Sequence, residues 1–272
     1  MSNTVLITGA SGGIGKELAT VFASHGHDLI LTARNRHRLD ALCKALHMRY
    51  GIRATAIPAD LSEDGAAERL VRDIEHRGLQ VDILVNNAGF GDHCLFAESD
   101  SGKQEAMIRL NVLALTSLTR AVLPAMMRRR RGRVLNVASI ASFLPGPYMA
   151  VYYATKAYVL SLSQALAAEL KPYGITVTAL CPGLVDTGFE KTADLEKTAL
   201  FKTLPVSDPA AVAKYGYRIT MCGNSVGVHG IPYKAMAFAS RLAPRDLLAR
   251  IILSIQSGRR SISISKRSDR YE

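Results

Sequence analysis

The sequence contains no tryptophan, and aromatic residues make up only 6% of it. Its four cysteines, Cys43, Cys94, Cys181 and Cys222, stand far apart with no Cys-x-x-Cys pair, which excludes a disulfide-framed scaffold and a structural zinc site and leaves reduced thiols as the expectation. Seven histidines include no His-Glu-x-x-His pattern, so no metal is expected. No 18 consecutive residues are apolar, so no transmembrane helix is expected. The opening Met1-Ser2-Asn3-Thr4 carries no basic segment, so no signal peptide and a cytoplasmic location are expected. Acidic residues are scarce relative to basic ones: 23 Asp and Glu face 34 Lys and Arg, a formal charge of +11 over 272 residues. Such a field attracts phosphates of any kind, in nucleotides, nucleic acids or anionic lipids, without selecting among them. What remains, 48% hydrophobic and 21% charged residues, excludes a disordered or collagen-like chain.

Short β-branched apolar runs alternate with helical patterns. Strands are expected at Thr4–Thr8, Asp28–Ala33, Arg53–Ala59, Asp82–Asn86, Arg133–Ala138 and Ile175–Cys181, with a seventh at Ser225–His229 closed by Gly230. Their nearly continuous apolar character suits strands covered on both faces. Ile14, Leu18, Val21 and Phe22 mark the stripe of one intervening helix, and Leu39, Leu42 and Leu46 that of the next. Strand–helix alternation of this kind predicts an α/β fold, a doubly wound Rossmann fold with a seven-stranded parallel sheet and a C-terminal helical extension. Residues 1–231 form the expected core domain, 232–257 an amphipathic extension and 258–272 a basic tail.

Directly after the first strand comes Thr8-Gly9-Ala10-Ser11-Gly12-Gly13-Ile14-Gly15, leading into an amphipathic helix. Glycines let the backbone approach a pyrophosphate, and the helix N-terminus offers free N–H groups to the anion. The second strand ends Leu31-Thr32-Ala33-Arg34, where an NAD-binding unit usually places an acid for the ribose 2′-hydroxyl. Arg34 instead suits a 2′-phosphate, with Arg38 one turn later adding charge, so NADP(H) is favoured and NAD(H) is the alternative. A solvated loop cation is the plainer reading of either arginine.

Ser139 ends the fifth strand, and thirteen residues on stands Tyr152-Tyr153-Ala154-Thr155-Lys156. Tyr152 and Lys156 are spaced i,i+4 and share a helix face. A neighbouring ammonium, together with the positive charge of a nicotinamide, stabilises a phenolate and lowers the phenol pKa from about 10, which suits Tyr152 to proton exchange. The Ser139 hydroxyl is placed to orient a reacting oxygen. Tyr153, i,i+3 from Lys156, is the competing phenol.

The Thr8–Gly15 loop, Asn86-Asn87-Ala88-Gly89, Asn111, Ser139, Tyr152-x-x-x-Lys156 and Pro182-Gly183…Thr187 occur in order over residues 4–190. Together they resemble the short-chain dehydrogenase/reductase family. The resemblance implies that Tyr152 is the general acid in reduction and the base in oxidation, that Lys156 binds the nicotinamide ribose and tunes Tyr152, and that Ser139 orients the substrate. Asn111 would hold a water in a proton relay. Gly9, Ser11, Gly13, Ile14 and Gly15 would cradle the cofactor, Asp60 and Leu61 would meet the adenine, and Asn86, Ala88 and Gly89 would line it. Pro182, Gly183, Val185 and Thr187 would position the nicotinamide. Plainer readings stand beside these: a structural amide at Asn111 and at Asn86, a helix cap at Asp60, a loop hydroxyl at Ser142.

The expected activity is NADPH-dependent reduction of a ketone or aldehyde, the rivals being an oxidative alcohol dehydrogenase and a non-catalytic nucleotide-binding protein on the same fold. A small-molecule carbonyl or alcohol, hydrophobic in character, is the expected substrate. Phe143, Leu144 and Tyr148 are candidates for one wall, and Phe189, Leu195, Leu200, Phe201 and Leu204 for a lid over it. The basic run Arg128–Arg131 with Arg133 reads as a solvated face, not a nucleic-acid site. In the extension, helices are expected at Tyr233–Leu242 and Pro244–Gln256, the latter with a stripe of Leu247, Leu248, Ile251, Ile252 and Ile255. Packing on the core or oligomerisation, as a homodimer or homotetramer, is favoured over a membrane surface as cover for that stripe.

Overall fold

The computed structural model describes residues 3–188 and 204–257. Seven strands form one parallel sheet: β1 (Thr4–Thr8), β2 (Asp28–Thr32), β3 (Ala54–Ala56), β4 (Ile83–Asn86), β5 (Gly132–Val137), β6 (Ile175–Cys181) and β7 (Val226–Val228), in the spatial order β3-β2-β1-β4-β5-β6-β7. The chain order reverses between β1 and β4, and ligands of open α/β sheets bind beyond the strand ends at such a switch point.

Strand alternation divides the core. Val5, Ile7, Leu29, Leu31, Leu135 and Val137 face α1 (Gly13–Ser24), α2 (Arg36–Tyr50) and, further along the chain, the helix Pro209–Cys222. Leu6, Ile30, Leu84, Val134 and Val177 face the other way, onto α3 (Ala66–His76) and two helices described next. α4 (Ser101–Ile108), a wide π turn (Arg109–Ala114) and α5 (Leu115–Arg129) form one helical run of 29 residues. By length and composition this run is long and apolar enough to cross a membrane, a test that a core helix also passes. Its Leu118, Val122 and Met126 are buried in the sheet-facing core. α6 (Ala150–Leu170) covers the same face. The helix Pro209–Cys222 becomes α7, followed by α8 (Ile231–Ala239) and α9 (Arg245–Gln256).

Most boundaries contract from the sequence reading. β3 keeps only Ala54–Ala56 of Arg53–Ala59, although Ile57 N and Ala59 N still donate to Leu31 O at 2.9 Å and Ala33 O at 3.2 Å; Pro58 sits at the sheet edge with its nitrogen turned from β2. α8 starts at Ile231, two residues before its expected start, with Pro232 in its first turn where a missing N–H costs nothing. The basic run is exposed at Arg128, Arg130 and Arg131, as expected, and it also makes structural bonds. Arg129 donates to Val81 O at 2.9 Å, Arg130 to Pro172 O at 2.6 Å and Arg131 to Asn3 Oδ1 at 2.6 Å, pinning loops at the edge where the strands begin.

Candidate active site

The end of β1 ties the glycine loop to β4. Thr8 Oγ1 accepts from the backbone N–H of both Asn87 and Ala88 at 2.9 Å, and Asn87 Nδ2 donates to Thr8 O at 2.9 Å. Gly9 sits at φ +64° and Gly13 at φ +51°, where side chains are disfavoured, and a Cβ on Gly15 would collide with Gly9 O and the Asn87 amide. Gly12, which precedes α1, has open space above it, and no acid occupies the first turn of α1. A close-packed, carboxylate-free helix N-terminus of this kind fits a dinucleotide pyrophosphate.

Two clefts meet at this loop. One, of about 700 Å³, is lined by Arg34, Arg38, Asp60 and Leu61 and shares Gly9, Ser11, Ala88 and Gly89 with the other. Asp60 accepts from Ser62 N at 3.0 Å and Ser62 Oγ at 2.6 Å. Burial pushes its carboxyl up, but the Ser62 bonds and the Arg34 charge outweigh burial and hold it below the ordinary carboxylate range. Both arginines are exposed at the mouth of this cleft. The donor set suits an adenosine bearing a 2′-phosphate.

The other cleft, of about 550 Å³, holds Ser139, Tyr152 and Lys156 together with Gly13, Ile14, Pro182, Gly183, Val185 and Thr187. Ser139 caps a short turn (Ile140–Phe143), its Oγ accepting from Ala141 N at 3.1 Å, and it is hydrogen-bonded to the Tyr152 hydroxyl. Lys156 Nζ lies 5.8 Å from the Tyr152 ring centre and donates to Val137 O at 2.8 Å. The side chains by themselves do not acidify the phenol; the expectation counted the positive charge of a nicotinamide as well. Burial pushes Tyr152 up to about 12 while the Ser139 bond pulls the other way, and burial lowers Lys156 to about 8 with the nearby Cys181 opposing it. An apolar cleft penalises both charged forms, so the side chains alone keep the phenol protonated at neutral pH. Because the depressed Lys156 loses its charge as pH rises through about 8, dinucleotide affinity should fall between pH 7 and 9. Titration of NADPH fluorescence should show that inflection in the parent and a flat profile in Lys156→Met; equal profiles would remove Lys156 from cofactor binding.

Other expected residues land elsewhere. Asn86 is buried away from both clefts, donating to Thr119 Oγ1 at 3.0 Å and Asn136 Oδ1 at 2.9 Å, and its neighbour Asn87 takes the place on the cleft wall. Asn111, set by the π turn, has its carboxamide committed: Nδ2 donates to Phe90 O at 3.0 Å and Thr155 Oγ1 at 3.1 Å, and Oδ1 accepts from Phe90 N at 3.1 Å. It braces the turn beside Lys156, and its side chain is not on the cleft wall. Tyr153 stays on the wall of the same cleft as Tyr152, but it is buried and its hydroxyl is taken by Gln256 Nε2 at 2.8 Å. Ser142 Oγ donates to Lys156 O at 2.8 Å, a loop bond. Of the expected wall, Leu144 lines the cleft, whereas Phe143 packs beside Leu115 and Val159, and Tyr148 stacks on His93. Leu204 also lines it; Phe189, Leu195, Leu200 and Phe201 lie outside the described residues.

The sequence reading misses the part the extension plays here. Tyr233, Met236, Ile252 and Ile255 line the same cleft. Tyr233 lies so close over Gly183 that a Cβ there would enter its ring; its hydroxyl accepts from Leu184 N at 3.1 Å and donates to Pro205 O at 2.6 Å. The apolar stripe on α9 signalled that something must cover it, but not what.

A family model described as short chain dehydrogenase matches residues 3–198. A very-long-chain 3-oxoacyl-CoA reductase of Pyrenophora tritici-repentis is 33% identical over 267 residues, covering 96% of this chain and 74% of that protein. Among solved structures, a short-chain dehydrogenase from Sphingobium yanoikuyae in complex with NADPH is 32% identical with a TM-score of 0.78, covering 99% of this chain and 100% of that one. A bulky-bulky ketone specific alcohol dehydrogenase from Comamonas testosteroni is 30% identical with a TM-score of 0.74, covering 88% and 92%.

Proposed function

The chain belongs to the short-chain dehydrogenase family, and from that premise we propose that it is an NADPH-dependent reductase of bulky, hydrophobic ketones, 3-oxoacyl thioesters included. The observation that carries this reading is the placement of two hydrogen-bonded hydroxyls, Ser139 and Tyr152, in a cleft whose other walls are Leu144, Met149, Met236, Ile252 and Ile255. NADPH, when bound, supplies a hydride to the carbonyl carbon. Ser139, its Oγ accepting from Ala141 N and its hydroxyl bonded to Tyr152, would turn its proton toward a carbonyl oxygen placed between the two hydroxyls. Tyr152, held protonated by burial, transfers the phenolic proton to that oxygen as negative charge grows there. The Lys156 ammonium, one helical turn away, then stabilises the phenolate left behind. Apolar walls hold the rest of the substrate and keep water from the reacting centre.

The arginines beside the adenosine cleft support NADPH over NADH, and the names of the relatives support a long acyl or otherwise bulky ketone. The test is NADPH consumption across aliphatic, aromatic, steroidal and acyl-thioester ketones. Bulky apolar members should turn over and small, highly charged carbonyls should not. Preference for the charged carbonyls would sink the substrate assignment, and no turnover of any member would sink the reductase.

A further inference from the structure

α8 and α9 have two faces. Inward, Tyr233 and Ile252 are buried, and Met236 and Ile255 join them on the cleft wall. Outward, large apolar side chains stand in solvent: Phe238 is 64% exposed and Leu242, in the turn between the two helices, 76%, with Leu247 and Ile251 one turn apart on α9. Ile231, two turns before Phe238, extends the first stripe. Lys234, Arg241, Arg245 and Arg250 are exposed among them. Over residues 231–272 the sequence places nine Lys and Arg against three Asp and Glu.

We propose that the outward face of α8 and α9 docks on an anionic lipid bilayer, with Phe238, Leu242, Leu247 and Ile251 among the acyl chains and the neighbouring cations at the headgroups. Apolar groups beside a cationic rim are what an interfacial helix presents to anionic lipid. Charge decides between this occupant and a second copy. A second copy on this face would bring the exposed cations of both chains into one interface, with only Asp246 among the described residues of the two helices to offset them, whereas a bilayer supplies hydrocarbon and negative charge together. The same two helices then lie between membrane and cleft, so an apolar substrate dissolved in the bilayer has a short path to Tyr152. The docking itself does not rest on the proposed reaction.

Because the chain has no tryptophan, Phe238→Trp gives a reporter free of background. With the full chain, phosphatidylglycerol vesicles should shift its emission to the blue and phosphatidylcholine vesicles should not. Co-sedimentation with phosphatidylglycerol vesicles should weaken about tenfold in Phe238→Ser/Leu242→Ser and also in Lys234→Glu/Arg241→Glu, with NADPH binding retained as the check on folding. Three results would overturn the proposal: no shift with phosphatidylglycerol, sedimentation unchanged by the serine pair, or a blue shift that grows with protein concentration in the absence of lipid. The last would give the face to a second copy.

Discussion

Tyr152→Phe should lower kcat for ketone reduction by roughly a thousandfold, the range a positioned general acid supplies, while NADPH affinity stays within about threefold. The substitution removes one oxygen and keeps the ring, which packs edge-on against Tyr153 at 6.1 Å between centres. Ser139 and the cofactor cradle stay in place, so only the proton donor is lost. Tyr153→Phe is the matched control. Its hydroxyl is bound by Gln256 at 2.8 Å, so its removal should cost on the order of 1 kcal/mol of stability, read as a lower Tm, and leave most turnover. If the two variants exchange these phenotypes, the proton comes from the wrong phenol in this account and the reaction scheme falls.

Arg34→Glu should reverse the choice of dinucleotide. A guanidinium facing a 2′-phosphate contributes a charge-assisted bond, and its loss alone should weaken NADPH about 10- to 100-fold. The new carboxylate adds repulsion toward the phosphate and offers an acceptor to a ribose 2′-hydroxyl, so NADH should improve in the same variant. Ratios of kcat/KM for the two cofactors read both changes at once. Arg38→Ala should move the ratio less, because Arg38 stands one turn further along α2. An unchanged ratio in Arg34→Glu would leave the selectivity without a source in this cleft.

Much of this was legible because local rules and the fold agree. Apolar β-branched runs mark β1, β2 and β6 almost to the residue, since strands buried on both faces need little else. The glycine pattern is legible because Gly9 and Gly15 answer to backbone geometry that any reader of the sequence can anticipate. The failures come at one-residue shifts and at long range. Asn86 and Asn87 are adjacent and chemically alike, but Asn86 ends β4 facing inward while Asn87, just past the strand, is held toward the cleft by Thr8. The i,i+4 spacing shows that Lys156 and Tyr152 are near, but not that burial dominates their titration. Gln256 meets Tyr153 across 103 residues of sequence, a contact no local pattern announces.

One hydroxyl, that of Tyr233, joins Leu184 and Pro205, and backbone bonds from Ser207 to Leu184 and from Asp186 to Ser207 repeat the join. The same side chain that walls the cleft therefore also ties α8 to the chain at Leu184 and at Pro205. Any shift of that one helix is thus felt at once by the strand-end loop after β6 and by the cleft it borders.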